Sequence, residues 1–176
     1  AEQLDPFSLR AKTLTAWIKY QAQEIEAAYE KGKEIITLDP NYAQGYLQTG
    51  NAALELGFVK EAVENCEKAV EMMSVSPLPV FTYCFALAAD GQIEKARAVV
   101  DGLIERSKTS YVTPYFLAMA HVAIGENDLA FDYFEKAFEE DNQWLLWIGT
   151  EPKLRRIRKE ERFLELFKRS NNPIFD

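Results

Sequence analysis

Apolar positions along the chain recur at helical spacing, and the blocks they form recur in turn. Tyr46, Thr49, Gly50 and Ala53 fall at i, i+3, i+4 and i+7, and Val80, Tyr83, Cys84 and Leu87 repeat that spacing. Each block is followed by a glycine (Gly57, Gly91) and then by a second amphipathic stretch, as over 59–73 and 127–140. A glycine after the last apolar position suits a helix C-terminus, which commonly needs a residue that tolerates positive φ. The pattern therefore predicts helix–turn–helix hairpins and no strands.

The period is 34 residues. Gly57, Gly91 and Gly125 are 34 apart, as are Ala28, Ala62, Ala96 and Ala130, and Leu4-Asp5-Pro6 returns as Leu38-Asp39-Pro40. Such a period signals a repeat architecture. The units divide as 9–42, 43–76, 77–110 and 111–144. Position 8 of the unit is always small (Ala16, Gly50, Cys84, Ala118), and position 20, on the second helix, is always alanine. Small side chains let two helices cross closely, so these positions set the crossing within each hairpin. Position 27 (Ile35, Ala69, Leu103, Ala137) faces the next unit. No hairpin buries both its faces alone, so the units must stack into a solenoid.

These residues resemble the tetratricopeptide repeat (TPR), with its small residue at 8, Gly at 15, Ala at 20 and Pro near 32. The resemblance covers about residues 1–144 and implies an all-α fold: a right-handed superhelical solenoid of antiparallel hairpins with a C-terminal helical cap. The unit 9–42 is degenerate. Gln23 replaces the turn glycine, and Gly32 stands where a large aromatic is usual. Residues 1–8 read as the remnant of a preceding repeat, so the chain is expected to begin inside a longer array or a longer protein.

The period breaks after 144. Trp144, Leu145, Leu146, Trp147 and Ile148 precede Pro152, and a helix is expected from about 160 to 169 with Phe163, Leu164, Leu166 and Phe167 on one stripe. The segment 145–176 is expected to cap the last repeat. Its run from Gln143 through Glu151-Pro152-Lys153-Leu154-Arg155 to Arg162-Phe163 resembles a tail on bacterial TPR regions attached to nucleotidyl cyclases, Ser/Thr kinases and winged-helix transcription regulators. That resemblance implies a regulatory arm of a bacterial signalling protein.

Charge separates these two regions. The formal net charge is −8, but residues 1–144 carry 12 Lys/Arg against 23 Asp/Glu, and residues 145–176 carry 8 against 5. The acidity argues against direct nucleic-acid binding and against an anionic membrane surface. Two cysteines, Cys66 and Cys84, are too few for a disulfide framework, and a cytoplasmic protein is expected. No phosphate loop or His-Glu-x-x-His pattern occurs, so no enzyme, cofactor or metal is expected. His121, the only histidine, falls at a core-facing position, and Glu61, Glu64, Glu67 and Glu71 at helical spacing suggest a solvated face. Arg155, Arg156, Arg158 and Lys159 lie among nearby acids and suggest a solvated cap surface.

The TPR resemblance places the functional surface in the concave groove, lined by positions 2, 5, 6, 9 and 12 of each first helix. Carried onto this sequence, the candidates are Trp17, Tyr20, Gln44, Leu47, Gln48, Asn51, Phe81, Phe85, Tyr115 and Met119. Aromatic and aliphatic members would hold apolar side chains of a protein or peptide partner, and Gln48 and Asn51 would hydrogen-bond its backbone. The Lys, Arg and Asn set that grips a C-terminal carboxylate is missing: Thr13, Trp17, Gln48, Leu78 and Thr82 stand there instead. The expectation is a non-catalytic interaction scaffold. The alternative is self-association, as a homo-oligomer, or an intramolecular regulatory role.

Overall fold

The computed structural model describes residues 8–170 and is helical throughout that span. The remnant repeat expected at 1–8 lies almost wholly outside the described residues. Four hairpins follow one another: α1 (Leu9–Gln21) with α2 (Ile25–Leu38), α3 (Ala43–Glu55) with α4 (Val59–Met72), α5 (Leu78–Ala89) with α6 (Ile93–Ser107), and α7 (Pro114–Ile124) with α8 (Asn127–Glu139). Two 3-10 helices, Gln143–Trp147 and Pro152–Ile157, and α9 (Glu161–Ser170) complete the described chain.

The turn within each hairpin is built the same way. Gly57, Gly91 and Gly125 have φ of 79°, 77° and 82°. The next N–H reaches back five residues to a helix carbonyl: Phe58 to Ala53 (2.9 Å), Gln92 to Leu87 (2.9 Å) and Glu126 to His121 (3.0 Å). This is the bonding that closes a helix on a left-handed residue. Gln23 adopts the same conformation at φ 64°, and the Glu24 N–H bonds Lys19 O at 2.9 Å. The degenerate repeat thus keeps its turn, at a cost of about 1–2 kcal/mol for a side chain in the left-handed region.

Small residues sit where helices cross. A Cβ on Gly50 would meet Cys66 Sγ at 2.6 Å, and one on Gly32 would meet Thr49 Oγ1 at 2.6 Å and Thr49 N at 2.8 Å. Gly32 therefore departs from the usual aromatic because α2 lies directly against α3. Ala16, Cys84, Ala118 and the position-20 alanines Ala28, Ala62, Ala96 and Ala130 are buried without exception.

The first helices α1, α3, α5 and α7 pack side by side and form one face of the solenoid, while α9 packs on α8. Phe163 and Leu166 of α9 are buried, and Leu164 is exposed. Arg162 and Arg169 reach back to Asp132 and Glu135 of α8, both at 2.7 Å. No described helix is long and apolar enough to cross a membrane.

Candidate functional site

The groove formed by α1, α3, α5 and α7 is divided in two by the protein's own tail. After α8 the chain turns back along the first helices, so that residues 143–158 lie over the groove. The anchor is Lys153. Its ammonium donates to Tyr20 Oη (2.5 Å), Asn51 Oδ1 (2.7 Å) and, at 3.4 Å, Glu151 Oε1, and it lies 4.7 Å from the centre of the Tyr20 ring.

The surrounding groups complete a network. Tyr20 donates its hydroxyl to Glu151 Oε1 at 2.9 Å, and Thr82 donates to Asn51 Oδ1 at 3.1 Å. Both side chains of the Lys153–Glu151 pair are within 3% of complete burial. Charges taken out of water are costly unless paired and hydrogen-bonded, and here the ammonium has three acceptors. Burial first, then the Glu151 carboxylate, pushes the Tyr20 phenol well above its ordinary value, so it stays a neutral donor.

Flanking contacts fasten the rest of the tail. Gln23 Nε2 donates to Thr150 O (3.0 Å), Thr150 Oγ1 donates to Gln21, and Arg155 pairs with Glu55 at 2.9 Å and also donates to Gln23. Gln23, the residue standing where the repeat wants glycine, therefore holds the tail from both ends of its amide. Arg156 lies 5.6 Å over the Phe85 ring, and Arg158 donates to Gly149 O at 2.9 Å. Arg155, Arg156 and Lys159 are exposed, as sequence composition suggested, and Arg158 is half-buried; the contacts that the three arginines make with Glu55, Phe85 and Gly149 are what neighbouring charges in sequence do not reveal.

The ten groove residues named from sequence separate accordingly. Tyr20, Phe85, Tyr115 and Met119 are buried beneath tail or helix. Tyr115 stacks at 6.4 Å on Trp144 and meets Phe134 edge-on at 5.7 Å. The other six, Trp17, Gln44, Leu47, Gln48, Asn51 and Phe81, line an open cavity of about 650 Å³ in the half of the groove nearest α1. Its opposite wall is the tail itself, through Gln143, Trp144, Leu146 and Trp147. All three tryptophans of the chain line it, and Trp17 meets Trp147 edge-on at 5.6 Å.

Sequence reasoning missed Glu151, Lys153, Trp144 and Trp147 as groove residues because they lie outside the repeat. The available signal was the Trp144–Ile148 apolar run meeting Glu151-Pro152-Lys153, together with the lost glycine at 23.

Elsewhere the polar groups have structural surroundings. His121 is buried, stacks at 5.3 Å on Tyr133, and places Nδ1 2.9 Å from Glu126. Glu61 accepts from Tyr29 at 2.8 Å, and Glu67 accepts from Tyr83 at 2.6 Å and Lys95 at 2.9 Å; Glu64 and Glu71 are exposed. Burial pushes the thiols of Cys66 and Cys84 up to about 12, which removes the thiolate needed for nucleophilic chemistry. Among the described residues no group of His, Cys, Asp and Glu is arranged to hold a metal ion.

No protein-family model and no curated protein matches the chain. Solved structures do. A thermophilic TPR protein of Thermus thermophilus superposes with a TM-score of 0.66 at 20% identity, covering 93% of this chain and 85% of that one. YrrB, described as a TPR protein with an unusual peptide-binding site, superposes with a TM-score of 0.55 at 18% identity, covering 97% and 88%. At these identities the likeness speaks to fold. Joined to the 34-residue repeat, the left-handed turns and the small residues at the crossings, it shows the fold: a solenoid of helical hairpins of the tetratricopeptide-repeat type.

Proposed function

We propose that the protein is a non-catalytic interaction scaffold that holds a segment of a partner polypeptide in the half of the groove its tail leaves open. The observation that carries this is the cavity of about 650 Å³ into which all three tryptophans project a face. Half-buried tryptophan is the side chain most enriched at interface hot spots, because it presents a large apolar area at small entropic cost. Leu14 and Leu146, 55% and 64% exposed, extend the apolar lining onto the rim. Exposed apolar surface of this kind marks interaction sites. The description of YrrB as peptide-binding is consistent with such a use of the fold. The two free thiols suit a reducing compartment, and we take the protein to be cytoplasmic.

The test is capture of partner polypeptides by wild type and by a Leu14→Asp, Leu146→Asp variant, with light scattering over a concentration series on both. Polypeptides retained by wild type and lost by a folded variant support the reading. Identical capture by both sinks it. A wild-type dimer that the variant abolishes replaces a foreign partner with a second copy.

A second reading, an intramolecular regulatory arm of a larger bacterial signalling protein, is favoured by one observation: the tail already sits in half of the groove through Lys153. A partner whose binding speeds amide exchange over residues 150–157 supports that reading, and unchanged protection on binding counts against it.

A further inference from the structure

We infer that the open cavity selects a segment carrying an acidic side chain beside a large apolar one; this deepens the scaffold reading and rests on it. In a chain of net charge −8, no Asp or Glu among the described residues lines the cavity. Among the described residues its one charged side chain is that of Arg10, which is exposed and has no ion pair with any of them. A guanidinium facing solvent beside an apolar pocket is a ready donor site for a carboxylate, to which it can give two parallel N–H bonds.

A second, independent observation is Gln48. Its side chain lines the cavity, is only 5% exposed, and has no hydrogen-bond partner among the described residues. Its amide atoms are open to the cavity's water rather than sealed in the core, and a peptide group, which offers both a donor and an acceptor, can take the place of that water. The three indole N–H groups are likewise donors with no protein acceptor among the described residues. The lining is thus apolar in its walls, rich in donors and devoid of anionic acceptors. An anion with an apolar body complements it on each count.

The carboxylate is that of an internal Asp or Glu. Fixing a chain terminus takes several cations and amides around one point, whereas here a single guanidinium stands at the mouth. Phosphate recognition also draws on clusters of arginine rather than one.

The experiment pans a random heptapeptide library, displayed without free C-termini, on wild type and on Arg10→Glu. Wild type is expected to enrich Asp or Glu next to Phe, Trp, Leu or Ile, and Arg10→Glu is expected to exchange the acid for Lys or Arg. Synthetic winners should shift the tryptophan emission, and their Glu→Gln analogues should bind on the order of tenfold more weakly, as for loss of a charged hydrogen bond. Enrichment of acid-free apolar peptides, or the same preference in Arg10→Glu, overturns the acidic assignment and leaves the groove reading standing. A parallel library with free C-termini that alone enriches apolar-ending, acid-free sequences overturns it in favour of a terminal carboxylate. No enrichment at all, or enrichment unchanged in Leu14→Asp, Leu146→Asp, overturns both.

Discussion

The two halves of the groove are made from the same repeat positions and face different neighbours: one borders an open cavity, the other lies under the tail. Position 9 gives Trp17 and Asn51 on the cavity side, and Phe85 and Met119 on the covered side. Position 5 gives Leu47 and Phe81 to the cavity wall and Tyr115 to the covered side, all three largely buried. Helical geometry aims each of these side chains at the concave face, but it does not decide what lies above them. That is decided by an aperiodic segment, 143–158, which covers one half and walls the other. Repeat register predicts direction; what each side chain faces depends on the tail.

The sharpest way to break the division is to strand its buried charge. Glu151→Ala leaves the Lys153 ammonium with Tyr20 and Asn51 but no counter-charge, and is expected to cost about 3–5 kcal/mol in urea denaturation. A loss under 1 kcal/mol would mean the tail leaves the groove readily. Next comes Phe85→Ala, expected to cost about 3–5 kcal/mol because the ring is core beneath Arg156 rather than a free contact surface. Stability unchanged in that variant would return Phe85 to the open half.

Ala96→Leu probes the solenoid body, which both halves share. It should overpack the α5–α6 crossing and cost about 1–3 kcal/mol by thermal unfolding, with the cavity unaltered. Leu146→Ser, at the rim, should change stability by no more than about 0.5 kcal/mol while weakening partner binding. A large stability loss there would make the rim structural.

The smallest effect is electrostatic. Hydrogen bonds from Lys12 and then Lys31 hold the Glu34 carboxyl below its ordinary value. A depressed carboxyl contributes stability above the unfolded value, about pH 4.3, and loses it as pH falls through the lower folded value. Glu34 is partly exposed, so Glu34→Gln should only slightly flatten the fall of Tm from pH 5 to pH 3. An identical slope would show the pair contributes nothing.

The fold was legible because every unit repeats the same physical demand. A glycine recurs where φ is positive, and small residues recur where helices touch, so a 34-residue spacing reports both. The direction of the groove side chains was legible for the same reason. What periodicity could not carry was the tail. Glu151 and Lys153 have no counterparts one period earlier in any functional sense, and their partners Tyr20 and Asn51 lie more than 100 residues away in sequence. Gln23 was visible as an irregularity, but its meaning required Thr150 and Arg155 beside it. Arg155 and Arg156 read as surface and are exposed, but their charged neighbours in sequence said nothing of the partners that they and Arg158 have in space: Glu55, Phe85 and the Gly149 carbonyl.

The division of the groove is tested most directly by hydrogen–deuterium exchange on the intact protein, comparing tail amides with those of α5. The N–H groups of Thr150, Glu151 and Leu154 donate to Trp147 O, Trp147 O and Glu151 O at 3.1, 2.9 and 3.1 Å, within a segment held by Lys153. Docked as described, they should exchange as slowly as the buried amides of α5, through global unfolding, and Glu151→Ala should release them selectively. Wild-type exchange at 150–157 orders of magnitude faster than in α5 would contradict the account, because the tail would then leave the groove and both halves would be open.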